Sequence, residues 1–155
     1  MFTTFLNWIK SLFNMNNHVF DNHFMVEWGG SRTDFTEVHG LGFEREIIEI
    51  RNGSSPTQIA QKVPGTEDYH QIILRRHLME GDLEMYQWWK QQSATPEYRD
   101  VTINLLNRNH EPIFAWRLRN AFPSTVNYTP LTAGSASVML EEVELSFESM
   151  VLTAY

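Results

Sequence analysis

Apolar and polar residues alternate from the first strand-like stretch onward: Phe24, Val26 and Trp28 stand against Met25 and Glu27, the period of two required by a strand with one buried face. Gly29-Gly30-Ser31 supplies a turn, and residues 33–39 read as a second strand, predicting a hairpin. A third strand is expected over residues 43–50. Its apolar parity switches at Ile47-Ile48, which implies either a bulge or a strand buried on both faces, and no partner follows locally. Residues 51–65, with Asn52-Gly53, Ser54-Ser55-Pro56 and Pro64-Gly65, have little periodicity and read as a long excursion between strands.

A fourth strand is expected over residues 69–78, with Ile72, Leu74 and Leu78 on one parity and Ile73 on the other. Gly81-Asp82 then opens a helix. Its apolar stripe is Leu83, Tyr86 and Trp89 with Met85, its outer face is Glu84, Gln87 and Lys90, and Ala94-Thr95-Pro96 ends it. Val101, Ile103 and Leu105 alternate with Thr102 and Asn104, and Phe114, Trp116 and Leu118 with Ala115, Arg117 and Arg119. Joined through residues 107–112, they form the clearest hairpin of the chain. A short edge segment over residues 123–130 and one long strand over 137–150 complete the body.

Residues 1–17 follow a different period. Phe2, Phe5, Leu6, Ile9, Leu12 and Phe13 recur at helical spacing, opposite Thr4, Asn7, Lys10, Ser11 and Asn14. This amphipathic helix is too short to stand alone in water and needs a surface to dock on; residues 14–17 read as a linker. The chain therefore divides into an extension over 1–17 and one mainly β domain over 18–155, a small barrel or sandwich with a single flanking helix.

The length of 155 residues fits one domain, and 42% hydrophobic residues, with 10 Phe, 5 Trp and 5 Tyr, are enough to build its core. The absence of cysteine removes disulfides, thiol nucleophiles and thiolate metal sites. A net charge of −7, with basic residues clustered only at Arg75-Arg76 and Arg117/Arg119, disfavours a nucleic-acid groove. No apolar run approaches the ~20 residues of a membrane helix, and the N-terminus lacks the basic start and small-residue cleavage site of a signal peptide.

Catalytic and metal signatures are not found. His18, His23, His39, His70, His77 and His110 form no ligand motif, and His70 and His77 fall on opposite faces of the expected fourth strand. Glu141, Glu142, Glu144 and Glu148 read as the wet face of the last strand. There is no GxSxG elbow or phosphate loop. Trp28, Trp88, Trp89 and Trp116 lie on apolar stripes and read as core. No enzyme activity and no cofactor is expected.

Several landmarks stand in register along the chain: Val26-Glu27-Trp28-Gly29-Gly30-Ser31; Phe35-Thr36-Glu37-Val38-His39-Gly40-Leu41; residues 44–51 as EREIIEIR before Asn52-Gly53; Lys62-Val63-Pro64-Gly65; Ile73-Leu74-Arg75-Arg76; Trp88-Trp89; Arg99-Asp100-Val101-Thr102-Ile103; and Trp116-Arg117-Leu118-Arg119-Asn120-Ala121 with Pro123. In this pattern, over residues 23–152, the chain resembles the tail tube proteins of contractile-tailed phages. That family includes the inner tubes of extracellular contractile injection systems and is similar in fold to the type VI secretion tube.

The resemblance implies hexameric rings stacked into a hollow tube, with a sheath around it, baseplate hub and terminator proteins at its ends, and protein cargo or phage DNA in its lumen. It implies assembly in the bacterial cytoplasm into a virion or a released or membrane-anchored particle, without membrane insertion. By the same resemblance, the excursion reaches the neighbouring ring through Arg51, Asn52, Gly53, Ser54, Ser55, Lys62, Pro64 and Gly65. Residues 1–14 look like an addition to the family's pattern, with Met15 as an alternative start. Three rivals are distinguishable by assembly and chemistry: a baseplate-proximal adaptor that forms one ring, a monomeric β-sandwich binding module with an exposed aromatic platform, and a small β-barrel hydrolase with a convergent acid/base pair.

Overall fold

In the computed structural model, which describes residues 1–13, 18–54 and 59–155, the alternating segments become strands wherever one face is buried. The elements are α1 (Phe2–Phe13), β1 (Phe24–Glu27), β2 (Glu37–His39), β3 (Phe43–Ile50), β4 (Gln61–Tyr69), β5 (Ile72–His77), α2 (Glu84–Gln91), β6 (Arg99–Leu106), β7 (Pro112–Tyr128), β8 (Leu140–Ser146) and β9 (Ser149–Ala154). The linker expected over residues 14–17, Met15 as a start, and Ser55 lie outside the described residues.

The body is one antiparallel sheet in the order β1-β6-β7-β8-β5-β2, with β9 also on β7. Strand β7 makes it double back. Its first half pairs with β6 and β9, its second half with β8, and the bend falls at Asn120, which has φ +52°, a left-handed conformation that asparagine tolerates better than most residues. The two halves enclose Val26, Trp28, Val101, Ile103 and Leu118 from one side and Ile72, Leu74, Val143 and Leu145 from the other, all at most 2% exposed. The mainly β fold with one flanking helix is the one expected from the periodicity.

Several elements differ from the sequence reading. Residues 24–39 are not a hairpin: β1 pairs with β6 and β2 with β5. The segment between them is pinned by side chains instead. The Trp28 indole donates to the Arg32 carbonyl at 2.7 Å, and Arg32 reaches Asp34, Asp82 and the His77 carbonyl. The segments expected at 114–119 and 123–130 are one strand, because the left-handed residue bends β7 without ending its ladder. The strand expected over 137–150 is two. Yet Phe122 faces Ser146 and Arg119 faces Ser149, so β8 and β9 follow β7 in one register across a short break.

The inward face of α2 is Met85 and Trp88, both 1% exposed, while Leu83, Tyr86 and Trp89 face outward. Both stripes are apolar, and the body selects the one whose indole fits: Trp88 lies 5.7 Å from Trp28 with Arg99 over its ring, and its N–H donates to the Glu97 carbonyl. Trp116 is half-buried. Of the four tryptophans read as core, only Trp28 and Trp88 are fully enclosed. His70 lies between β4 and β5, not on a shared strand with His77. Glu141 is not on a wet face. It is 3% exposed and paired with Arg76.

Candidate assembly surface

Strands β3 and β4 form a two-stranded ribbon that pairs with no other strand. Every residue of β3 is exposed, so the strand is not buried on both faces. The parity switch at Ile47-Ile48 reflects the bulge, since Arg45 faces Glu67 but Ile47 faces Pro64. Eight residues at ~3.3 Å each make the ribbon roughly 25 Å long. The excursion expected over 51–65 is therefore shorter than read: residues 61–65 belong to β4, and only 51–60 connect the strands.

The sequence reading missed β4 because a ribbon mostly exposed to water imposes no clear alternation. Asn52-Gly53 between apolar runs was the available hairpin signal. Pro64 is tolerated because β4 is an edge strand, where a missing N–H breaks no ladder bond on its open side. Gly65 sits at the bulge, where a Cβ would come within 3.1 Å of the Glu46 carbonyl and Cβ.

The root of the ribbon is held to the body by aromatic contacts. Phe43 packs edge-on against Tyr69 at 6.1 Å, and Tyr69 against Phe147 at 5.8 Å. The chain leaves β2 through Gly40, whose φ is +89° and whose hypothetical Cβ would lie 2.1 Å from the Gln71 carbonyl oxygen, so only glycine fits there. Along the ribbon, Arg45 donates to the Gly65 carbonyl and to Glu67. The Tyr69 hydroxyl and then Arg45, by donating to Glu67, hold its carboxyl below the usual range, and Glu67 in turn raises the Tyr69 phenol.

The residues singled out in sequence gather on this one ribbon. Lys62 faces Glu49 across the ladder, Pro64 faces Ile47, and Arg51, Asn52, Gly53 and Ser54 form its far end, where Asn52 Oδ1 accepts from the Ser54 hydroxyl at 3.0 Å. What the sequence reading did not anticipate is the exposure of Ile47 (63%), Ile48 (45%), Ile50 (52%) and Ile59 (84%). With Ile48 opposite Val63 and Ile47 opposite Pro64, apolar side chains emerge on both sides. An isolated two-stranded hairpin is marginal in water, and one this apolar fits an intermolecular contact.

The body adds open ladder edges. Strands β1, β2 and β9 are each paired on one side only, whereas the free edge of β7 is covered by α2, whose Trp89 N–H donates to the Ser124 carbonyl at 3.3 Å. Among the described residues no group of three or more His, Asp or Glu is placed to hold a metal; His23 and His110 meet edge-to-face at 5.7 Å. Among the described residues no helix is long and apolar enough to cross a membrane. What the arrangement offers is apolar surface and unpaired backbone, the means of association.

Residues 21–151 match the family described as T4-like virus tail tube protein gp19. The fold is similar to a chain of the sheath-tube complex of an extracellular contractile injection system, PVC, in its extended state, with TM-score 0.81 and 26% identity over 94% of this chain and 97% of that one. It is similar in fold to a chain of the six-fold symmetrised baseplate of the anti-feeding prophage (TM-score 0.78, 21% identity, 90% of this chain and 98% of that one). It is also similar in fold to Hcp1 from Flavobacterium johnsoniae (TM-score 0.51, 13% identity, 85% and 95%). A comparison with curated protein sequences finds no match.

Proposed function

The chain belongs to the T4-like virus tail tube protein gp19 family, and on that premise we propose that it is the inner-tube subunit of a contractile injection machine. Six copies close into a ring, rings stack into a hollow tube, and the lumen carries protein cargo or phage DNA through a target envelope when the sheath contracts. The role is mechanical, without catalysis. The sheath surrounds the tube, and baseplate hub and terminator proteins cap it. Assembly takes place in the bacterial cytoplasm, and the tube then serves in a virion or in a particle that is released or membrane-anchored.

The observation that carries this reading is the β3–β4 ribbon, with exposed isoleucines on a hairpin that cannot bury them within its own chain. Stacking buries that surface against the next ring, and the open edges of β1, β2 and β9 supply backbone groups for closure within a ring. The six-fold symmetrised baseplate that contains a similar chain supports six as the ring number.

Negative-stain electron microscopy of the purified chain across a concentration series tests the proposal. Hollow tubes of uniform width are expected. Single rings that never stack would make it a baseplate adaptor, and monodisperse monomers at every concentration would overturn the tube reading in favour of a binding module.

A further inference from the structure

Residues 1–20 contain no aspartate or glutamate; all 19 acidic residues of the chain begin at Asp21. Within this stretch α1 leaves Phe2 85%, Phe5 58% and Trp8 59% exposed, at spacing i, i+3 and i+6, with Phe5 and Trp8 stacked at 6.1 Å. A 12-residue helix of this kind is marginal until its apolar face is covered. The body has a receptor of matching character. Between β1 and β2 a cavity of about 300 Å³ opens into the space between the two halves of the sheet, with Phe24, Val38, Leu105 and Trp116 on its walls and Asp21 and Glu37 at its rim. It is at the lower end of the ~300–1,000 Å³ typical of clefts that hold a small group.

We propose that α1 of one copy docks its Phe2–Phe5–Trp8 row into the β1/β2 slot of a neighbouring copy. The fit is apolar at the centre and has a smaller electrostatic part at the edge: the sequence of α1 has Lys10 as its one charged residue, and the slot carries Asp21, while its Glu37 is already paired with Arg75. Within one chain Phe2, Phe5 and Trp8 stay exposed and the slot stays open, so among the described residues neither is satisfied in cis. The slot also lies between two strands whose outer edges are unpaired, the side of the body that has a place for a second copy. The inference rests on the assembly reading in needing a second copy, and it assigns to the N-terminal extension the task of locking subunits together.

The chain has no cysteine, so site-directed cross-linking reads the contact directly. Full-length Thr4→Cys and His39→Cys chains, the latter tagged to differ in size, are mixed, assembled and oxidised; both positions are exposed, and the docking row and the core are left untouched. A heterodimer band that is lost when Phe5→Asp is added to the Thr4→Cys chain is the expected result. Trp8→Ser alone should raise the concentration needed for assembly by on the order of tenfold, the loss expected from removing one buried aromatic contact. Rings or tubes that form without the heterodimer band overturn the docking alone. A doubly substituted chain that cross-links only within itself shows α1 on its own slot and also overturns it. The absence of any rings or tubes removes the assembly reading beneath it, and wild-type α1 that partitions onto anionic phospholipid vesicles in place of cross-linking makes a lipid surface the occupant.

Discussion

Arg76 and Glu141 face each other across the β5–β8 ladder and form an ion pair inside the body, Nε to Oε1 at 2.8 Å, with side chains 1% and 3% exposed. The guanidinium lies over the rings of Trp28 and Phe35 at 5.3 and 5.5 Å, and reaches Asp82 at 3.5 Å. Burial and the nearby Glu141 carboxylate push the Tyr128 phenol up to about 12. Removing one partner strands a charge in a dry site, at a cost of ~3–5 kcal/mol, whereas an apolar pair of similar volume is near neutral. Arg76→Met alone and Glu141→Leu alone should each lower the urea midpoint sharply, and the double substitution should recover most of it. Additive losses in the double variant would show that the two side chains do not act as a pair.

Leu145 is fully buried opposite Ile72. Leu145→Asp places an unpaired carboxylate in the core, a cost comparable with the ~5–15 kcal/mol stability of a domain, and should yield no soluble folded protein. Val151→Asp, on β9 and 58% exposed, should fold normally. Circular dichroism of the two proteins checks the contrast, and a folded Leu145→Asp chain would refute the assignment of faces in β8.

The ribbon is separable from the body. Deleting residues 49–62 and joining Ile48 to Val63 through an Asn-Gly turn keeps the aromatic root at Phe43, Tyr69 and Phe147 and removes the far end. Thermal unfolding should stay within a few degrees of the parent, since the described residues among those lost bury almost nothing, but rings should no longer stack under the microscope. Long tubes at the parent's concentration would exclude the ribbon as the ring-to-ring contact.

Acid should weaken the fold in a defined window. The Arg32 guanidinium holds the Asp34 carboxyl low, and Arg75 does the same for Glu37. Burial alone would raise Asp82, but hydrogen bonds from the Glu84 N–H and Arg32 outweigh it. Between these lowered values and the ordinary carboxylate range near ~4, the unfolded chain binds more protons than the folded one, so stability falls as pH falls. Scanning calorimetry should find Tm flat from neutrality to about pH 5 and declining below about pH 4. A Tm that rises on acidification would contradict the sign.

The β6–β7 hairpin was legible in the sequence because Val101, Ile103 and Leu118 all face one core, and a buried face imposes alternation on every residue that borders it. The outline of the fold and the helix near residue 84 followed from such local regularities, and the resemblance gathered its candidate ring-contact residues on one segment. Tertiary structure alone decided the rest. Strand β4 left no clear pattern because most of its residues face water, with only Val63, Gly65 and Tyr69 half-buried. The choice between the two apolar stripes of α2 depended on Trp28, sixty positions before Trp88. Glu141 looked like a solvent-facing carboxylate until the ladder set Arg76 opposite it, 65 residues away in the chain. Alternation is a property of neighbours in sequence; pairing, bending and burial of charge depend on neighbours in space, and only the folded chain supplies those.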